Sequence, residues 1–83
     1  MQIEIRTQPY EGRTEVSVID KESGIGVSFL KGVPIIGNHL NTVLLSNHLP
    51  ETKEDVMKIP AMRTEIIAWC RDKYPIEFEG VEE

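Results

Sequence analysis

The chain has 83 residues, of which 40% are hydrophobic and 28% are charged. This composition is typical of one small globular domain, and it excludes collagen-like, low-complexity and fully disordered chains. The single cysteine excludes an internal disulfide and an all-cysteine zinc site. We therefore expect one domain over residues 1–80, with a frayed acidic tail over residues 81–83. Its core must hold the fold alone or with the help of a second copy.

Charge and hydropathy exclude two further classes of protein. The net charge at neutral pH is −5, from 14 acidic and 9 basic residues, and no basic stripe is present that would neutralise phosphates. Direct binding to DNA or RNA is therefore not expected. The longest uncharged stretch, residues 32–50, is interrupted by asparagine, histidine and proline, so it does not fit a membrane span. The N-terminus lacks the pattern of a signal peptide. We expect a cytoplasmic protein without membrane contact.

The first third of the chain has the pattern of short strands. Residues 2–8, 13–19 and 25–30 alternate apolar and polar side chains, and a period of two is typical of half-buried strands. Residues 9–12 and 20–24 carry the proline, glycine and polar residues of tight turns. The pattern predicts a three-stranded antiparallel meander.

The remainder predicts helices and a last strand. Apolar residues at helical spacing predict a short helix over residues 38–47. Thr52 and Asp55 resemble a capping box, so a second helix begins there and runs to the residues before Pro75. Pro60 either kinks this helix or begins a third one. Residues 76–79 alternate again and predict a fourth strand that joins the sheet.

The predicted order is β-β-β-α-α-β, an α+β domain with two or three short helices packed on one face of the sheet. Nine side chains are expected to face the helices: Ile3, Ile5, Val16, Val18, Ile25, Val27, Phe29, Ile76 and Phe78. Trp69, on the apolar face of the second helix, is expected to be largely buried against the meander.

The residues that most often carry chemistry do not form a catalytic or ligand-binding pattern. Gly24 and Gly26 lack the third glycine and the following helix of a dinucleotide-binding loop, so they are interpreted as a turn glycine and a bulge or tight-packing glycine. His39 and His48 would lie on opposite faces of the predicted helix and cannot share a metal ion. Cys70 follows two isoleucines and is expected in the core rather than as a nucleophile. We therefore expect no catalysis, no cofactor and no metal.

Two surfaces remain as candidate contact sites. The first is an acidic patch on the outer sheet face, where the carboxylates lie on the polar side of three predicted strands and are expected in solvent: Glu4, Glu15, Glu77 and Glu79. The second is the uncharged segment 32–50, which is either core or interface and whose polar rim holds four residues: Asn38, Asn41, Asn47 and His48.

The sequence thus predicts a small acidic, non-enzymatic protein–protein interaction module. Its partner would be a protein with a basic surface, such as a nucleic-acid-binding protein that it inhibits or assists. Two alternatives stay open: a structural homo-oligomer built through an edge strand or through segment 32–50, and a small-ligand-binding or enzyme accessory subunit that uses the same segment. We also expect a homodimer, with segment 32–50 as its best candidate interface. Chains of this type are common among accessory proteins of phages and mobile elements, although no residue here points to one.

Overall fold

The computed structural model describes residues 1–36, 40–45 and 49–81. Within them, a four-stranded antiparallel sheet in the order β1-β2-β3-β4 carries one helix. The elements are β1 (Ile3–Tyr10), β2 (Arg13–Asp20), β3 (Ile25–Leu30), β4 (Asn41–Leu44) and α1 (Lys53–Lys73). The predicted α+β class and the three-stranded meander are confirmed, whereas several details of the second half differ.

Turn chemistry fixes the register of the meander. Glu11 and Gly12 form a two-residue loop with φ angles of 47° and 78°, which is the left-handed geometry that the twist of a hairpin favours. Tyr10 therefore pairs with Arg13, and the pairing runs back to Ile3 opposite Asp20. β2 continues into β3 with Val18 opposite Val27.

The core lies between one face of the sheet and α1. Val16 and Val18 of β2, and Val27 and Phe29 of β3, are buried against the helix residues Ile66, Ile67 and Cys70. Six of the nine predicted core residues are buried, namely Val16, Val18, Ile25, Val27, Phe29 and Phe78, and Ile3 is partly buried. The burial predicted for Ile5 and Ile76 is wrong, since they are 39% and 70% exposed. Ile5 stays exposed because α1 packs on β3 and β2 rather than on β1. Trp69 is only partly buried against this core.

The helix predicted over residues 38–47 is wrong where the structure describes it. Residues 41–44 form β4, which pairs with β3 from Ser28 opposite Asn41 to Ile25 opposite Leu44. Asparagine, threonine and valine are weak helix formers, and the open edge of β3 offers backbone hydrogen bonds that a helix would leave unused. Residues 37–39 and 46–48 lie outside the described residues.

A single helix, α1, follows residue 50, which is the first of the two predicted alternatives; no new helix begins at Pro60. The hydroxyl of Thr52 accepts a hydrogen bond from the amide of Asp55 at 3.1 Å, which confirms the predicted cap. Pro60 lies inside α1 and does not divide it. The helix loses one amide donor there, but Ile59 and Met62 on either side pack against the core and hold both halves in place. The helix ends at Lys73, shortly before Pro75, as predicted.

The predicted fourth strand over residues 76–79 is also wrong. Residues 75–80 form turns, in which the amide of Phe78 donates to the carbonyl of Tyr74 at 3.1 Å. This turn inserts the Phe78 ring edge-on against Phe29, with 4.8 Å between ring centroids. Burial of this aromatic ring therefore favours the turn over the predicted strand. Val81, assigned above to a frayed tail, is partly buried, and its carbonyl accepts a hydrogen bond from Arg71.

Candidate functional site

The predicted acidic patch is not assembled as one surface. Glu4 and Glu15 lie on β1 and β2, on the face of the sheet away from the helix. Each already has a neighbour: Arg6 is 3.1 Å from Glu4, and the Gln8 amide donates to Glu15 at 2.6 Å. The charge of Glu4 is therefore partly neutralised within the chain, and Glu15 already accepts a hydrogen bond there.

Glu77 and Glu79 belong to the C-terminal turns rather than to a strand. The prediction that Glu77 is in solvent is wrong, because this residue is 7% exposed and its Oε1 accepts the amide proton of Gly32 at 3.0 Å. Its own carbonyl accepts the amide of Ile35 at 2.9 Å. Glu77 is thus a structural link between the segment after β3 and the C-terminal turns. Glu79 is exposed.

The uncharged segment 32–50 divides between core and surface. Ile35 and Leu40 are buried in the core, whereas Ile36 is 73% exposed. Asn41 is exposed on β4, and it lines a shallow depression of about 500 Å³ together with Tyr10 and Ile36. Three residues of the predicted rim lie outside the described residues: Asn38, Asn47 and His48. Glu15 lines the same depression, so among the candidate residues that the structure describes, Glu15 and Asn41 come together there.

A larger cleft of about 590 Å³ opens at the other end of the sheet, and sequence reasoning missed it. It lies between the first half of α1, the turn after β2, the end of β4 and the start of the chain. Its floor is apolar and includes Ile25, Leu44, Ile59 and Met62. Among the described lining residues, five carboxylates stand against two ammonium groups, those of Lys58 and of the N-terminus at Met1; the acids are Asp20, Glu22, Glu51, Asp55 and Glu65.

The cleft stays negatively charged at neutral pH. Burial by itself would raise the pKa of Asp20, but hydrogen bonds from the Ser23 side chain and from the amides of Gln2, Glu22 and Ser23 hold that pKa below its ordinary value. Hydrogen bonding with Thr52 lowers the pKa of Asp55. Both groups are therefore ionised.

Part of the cleft lining could be identified from the sequence of α1. Asp55, Ile59, Met62 and Glu65 follow one another at spacings of three and four, so they form one stripe of α1. That stripe differs from the one formed by Ile66, Ile67 and Cys70, which enters the core. Nothing in the sequence indicates that the turn after β2 comes to face it.

Other kinds of site find no support in the part of the chain described. Residues 1–36, 40–45 and 49–81 bring no three metal-binding side chains together, and no helix there is long and apolar enough to cross a membrane. Cys70 is fully buried, as predicted, and burial raises the pKa of its thiol to about 12. A thiol in that state is protonated and a poor nucleophile.

Comparisons with protein-family models, with curated proteins and with solved structures found no match to this chain.

Proposed function

We propose that this protein is a small acidic interaction module that binds a basic segment of another protein and performs no chemistry of its own. Binding of this kind would make it an inhibitor or an accessory factor of a basic, nucleic-acid-binding partner. A cytoplasmic location belongs to the same proposal and suits a chain whose single cysteine is a buried thiol.

The observation that carries the proposal is the acidic rim around the apolar floor of the cleft. Leu49 is 58% exposed and Met1 is 52% exposed at its margins, so apolar surface is available as well as charge. An apolar centre within a charged rim is the usual anatomy of a protein-binding surface. The occupant that complements it is an amphipathic segment with lysine or arginine along one side and apolar residues along the other.

The sheet-face acids support the proposal less directly. Arg6 lies beside Glu4 and offsets its charge, and Arg13 lies on the same strand as Glu15. A role for Glu4, Glu15 and Glu79 in partner binding stays a prediction. We place the main contact in the cleft because its carboxylates outnumber the cations among its described residues.

The experiment uses a fluorescent amphipathic peptide built from leucine and lysine as the probe. A peptide in which glutamate replaces every lysine serves as the charge control. Binding is measured by fluorescence anisotropy between about 50 mM and about 500 mM salt, because opposite charges attract less as salt screens them. Amide chemical shifts then locate the bound peptide on the protein.

Matched variants separate the cleft from the rest of the acidic surface. Glu22 and Glu51 are exposed at the cleft, and reversing both to lysine should weaken binding of the basic peptide by about tenfold or more. Reversing Asp72 and Glu79, which are exposed elsewhere, changes the net charge equally and should have a much smaller effect. Lys58→Glu should strengthen binding, because it replaces a cation of the cleft lining with a carboxylate.

Affinity that does not change with salt would contradict the proposal, and so would equal losses from the two double reversals. Preference for the acidic peptide would contradict it directly. Capture of a native partner that survives the Glu22 and Glu51 reversals would move the contact to another surface.

A further inference from the structure

We infer that β1 is a self-complementary edge that joins two copies of this chain into one continuous antiparallel sheet, with Ile5 at the two-fold axis. β1 is an outer strand of the sheet. Residues 5–10 are exposed throughout, and α1 packs on β3 and β2. An exposed strand of this length is a template for further pairing. The inference does not depend on the acidic cleft.

The free edge has a defined set of hydrogen-bonding groups. The amide of Lys21 donates to the carbonyl of Gln2 at 2.8 Å, so Gln2 and Lys21 form a hydrogen-bonded pair of the β1–β2 ladder. Such pairs alternate along an antiparallel ladder. The even-numbered residues of β1 therefore direct their amides and carbonyls towards β2. Ile3, Ile5 and Thr7 direct theirs outwards, where they are available to a second copy.

The charges on β1 select one register for that pairing. With Ile5 opposite Ile5 of the second copy, Glu4 stands opposite Arg6 of the second copy, and Arg6 opposite its Glu4. A shift by two residues in one direction sets Glu4 against Glu4, and a shift in the other sets Arg6 against Arg6. Opposed charges directly across a strand pair stabilise it, and like charges destabilise it. The sequence of β1 is thus complementary to itself in the centred register.

The backbone fits the same register. Ile5 pairs with its own copy, and Ile3 pairs with Thr7 in both directions, which gives about six main-chain hydrogen bonds between the copies. Pro9 has no amide proton and limits the ladder at that end. The side chain of Ile5, 39% exposed on the helix side of the sheet, would be covered by its counterpart. The product is a two-fold dimer in which both helices lie on the same side of the sheet.

Charge exchange at the two positions tests this arrangement. Glu4→Arg alone sets arginine against arginine, and Arg6→Glu alone sets glutamate against glutamate, so each variant should weaken dimerisation by about tenfold or more. An equimolar mixture of the two variants restores both opposite-charge pairs and should form a heterodimer. The double variant Glu4→Arg/Arg6→Glu should dimerise like the wild type. Glu79→Arg and Lys31→Glu, both exposed outside β1, are the matched controls for net charge.

Sedimentation velocity from about 5 µM to about 1 mM gives the dimerisation constant. Hydrogen exchange gives an independent readout: the amides of Ile3, Ile5 and Thr7 should become protected as concentration rises, while those of Glu4 and Arg6 are protected at every concentration. A wild type that remains monomeric throughout this range overturns the inference. A dimer that survives both single variants, or a mixture that yields no heterodimer, overturns it as well.

Discussion

Replacing Glu77 with alanine removes the side chain that connects the C-terminal turns to the segment after β3. Its Oε1 accepts the Gly32 amide at 3.0 Å, and the residue is 7% exposed. A hydrogen bond to a charged group contributes about 1.5–3 kcal/mol. Gly32 is exposed, so its amide can bind water after the truncation, and we expect the lower end of that range. For a domain of this size, about 1.5–2 kcal/mol corresponds to a fall in Tm of about 6–16 °C.

The chain supplies a matched control two residues away. Glu79 has the same charge but is exposed, so Glu79→Ala should change Tm by no more than about 2 °C. Glu77→Gln keeps an acceptor for the Gly32 amide and should lose less stability than Glu77→Ala. Thermal and urea unfolding followed by circular dichroism measure all three variants. Equal Tm values for Glu77→Ala and Glu79→Ala would refute the link between the two segments.

Three further predictions concern the sheet and the core. Gly26→Ala should cost about 3 kcal/mol or more in unfolding free energy, because a Cβ there lies 2.9 Å from the Ile19 Cα and overlaps the Val18 carbonyl. Gly12→Ala is the control: its Cβ meets open space, so it should cost only about 1–2 kcal/mol. Urea unfolding measures both variants. Asp20→Asn should destabilise the domain at neutral pH. Because the folded pKa of Asp20 is lowered, its contribution is present above the ordinary carboxyl pKa and is lost as pH falls through the folded value, so acid titrations of the two proteins should converge. Burial raises the pKa of the Cys70 thiol to about 12, so at pH 8 the thiol should react with a thiol reagent only as fast as the domain opens. Urea promotes opening and should therefore speed the reaction; a rate independent of added urea would contradict the burial of Cys70.

The meander could be predicted because its determinants are local. Alternation in β1 and β2 and the Glu11–Gly12 turn act within a few residues, and they agree with one another. The helix cap at Thr52 is equally local. β4 could not be predicted, because its four residues gain a strand conformation only by pairing with β3. Its sequence taken alone fits a short amphipathic helix as well.

The candidate site was less predictable than the fold for a related reason. Glu77 and Glu79 alternate as strand residues do, but the packing of Phe78 against Phe29 turns the segment and buries Glu77. The acidic cleft draws Asp20 and Glu65 from positions far apart in the chain. Sequence spacing shows which charges share a helix stripe or a strand face, and only the tertiary fold shows which stripes face each other.

The two proposed surfaces can operate together. In the centred register Met1, which lines the cleft, stands opposite Pro9 of the second copy, so the two N-termini lie eight residues apart along the strands, or about 26 Å. That distance exceeds the Debye length of about 8 Å at physiological ionic strength, and repulsion between the two acidic clefts is therefore largely screened. The pairing would use the outward backbone groups of Ile3, Ile5 and Thr7, none of which lines the cleft, so both clefts would stay accessible. A dimer would thus present two identical acidic clefts, and a basic partner with two complementary segments would bind them with an avidity that one exposed cleft does not provide.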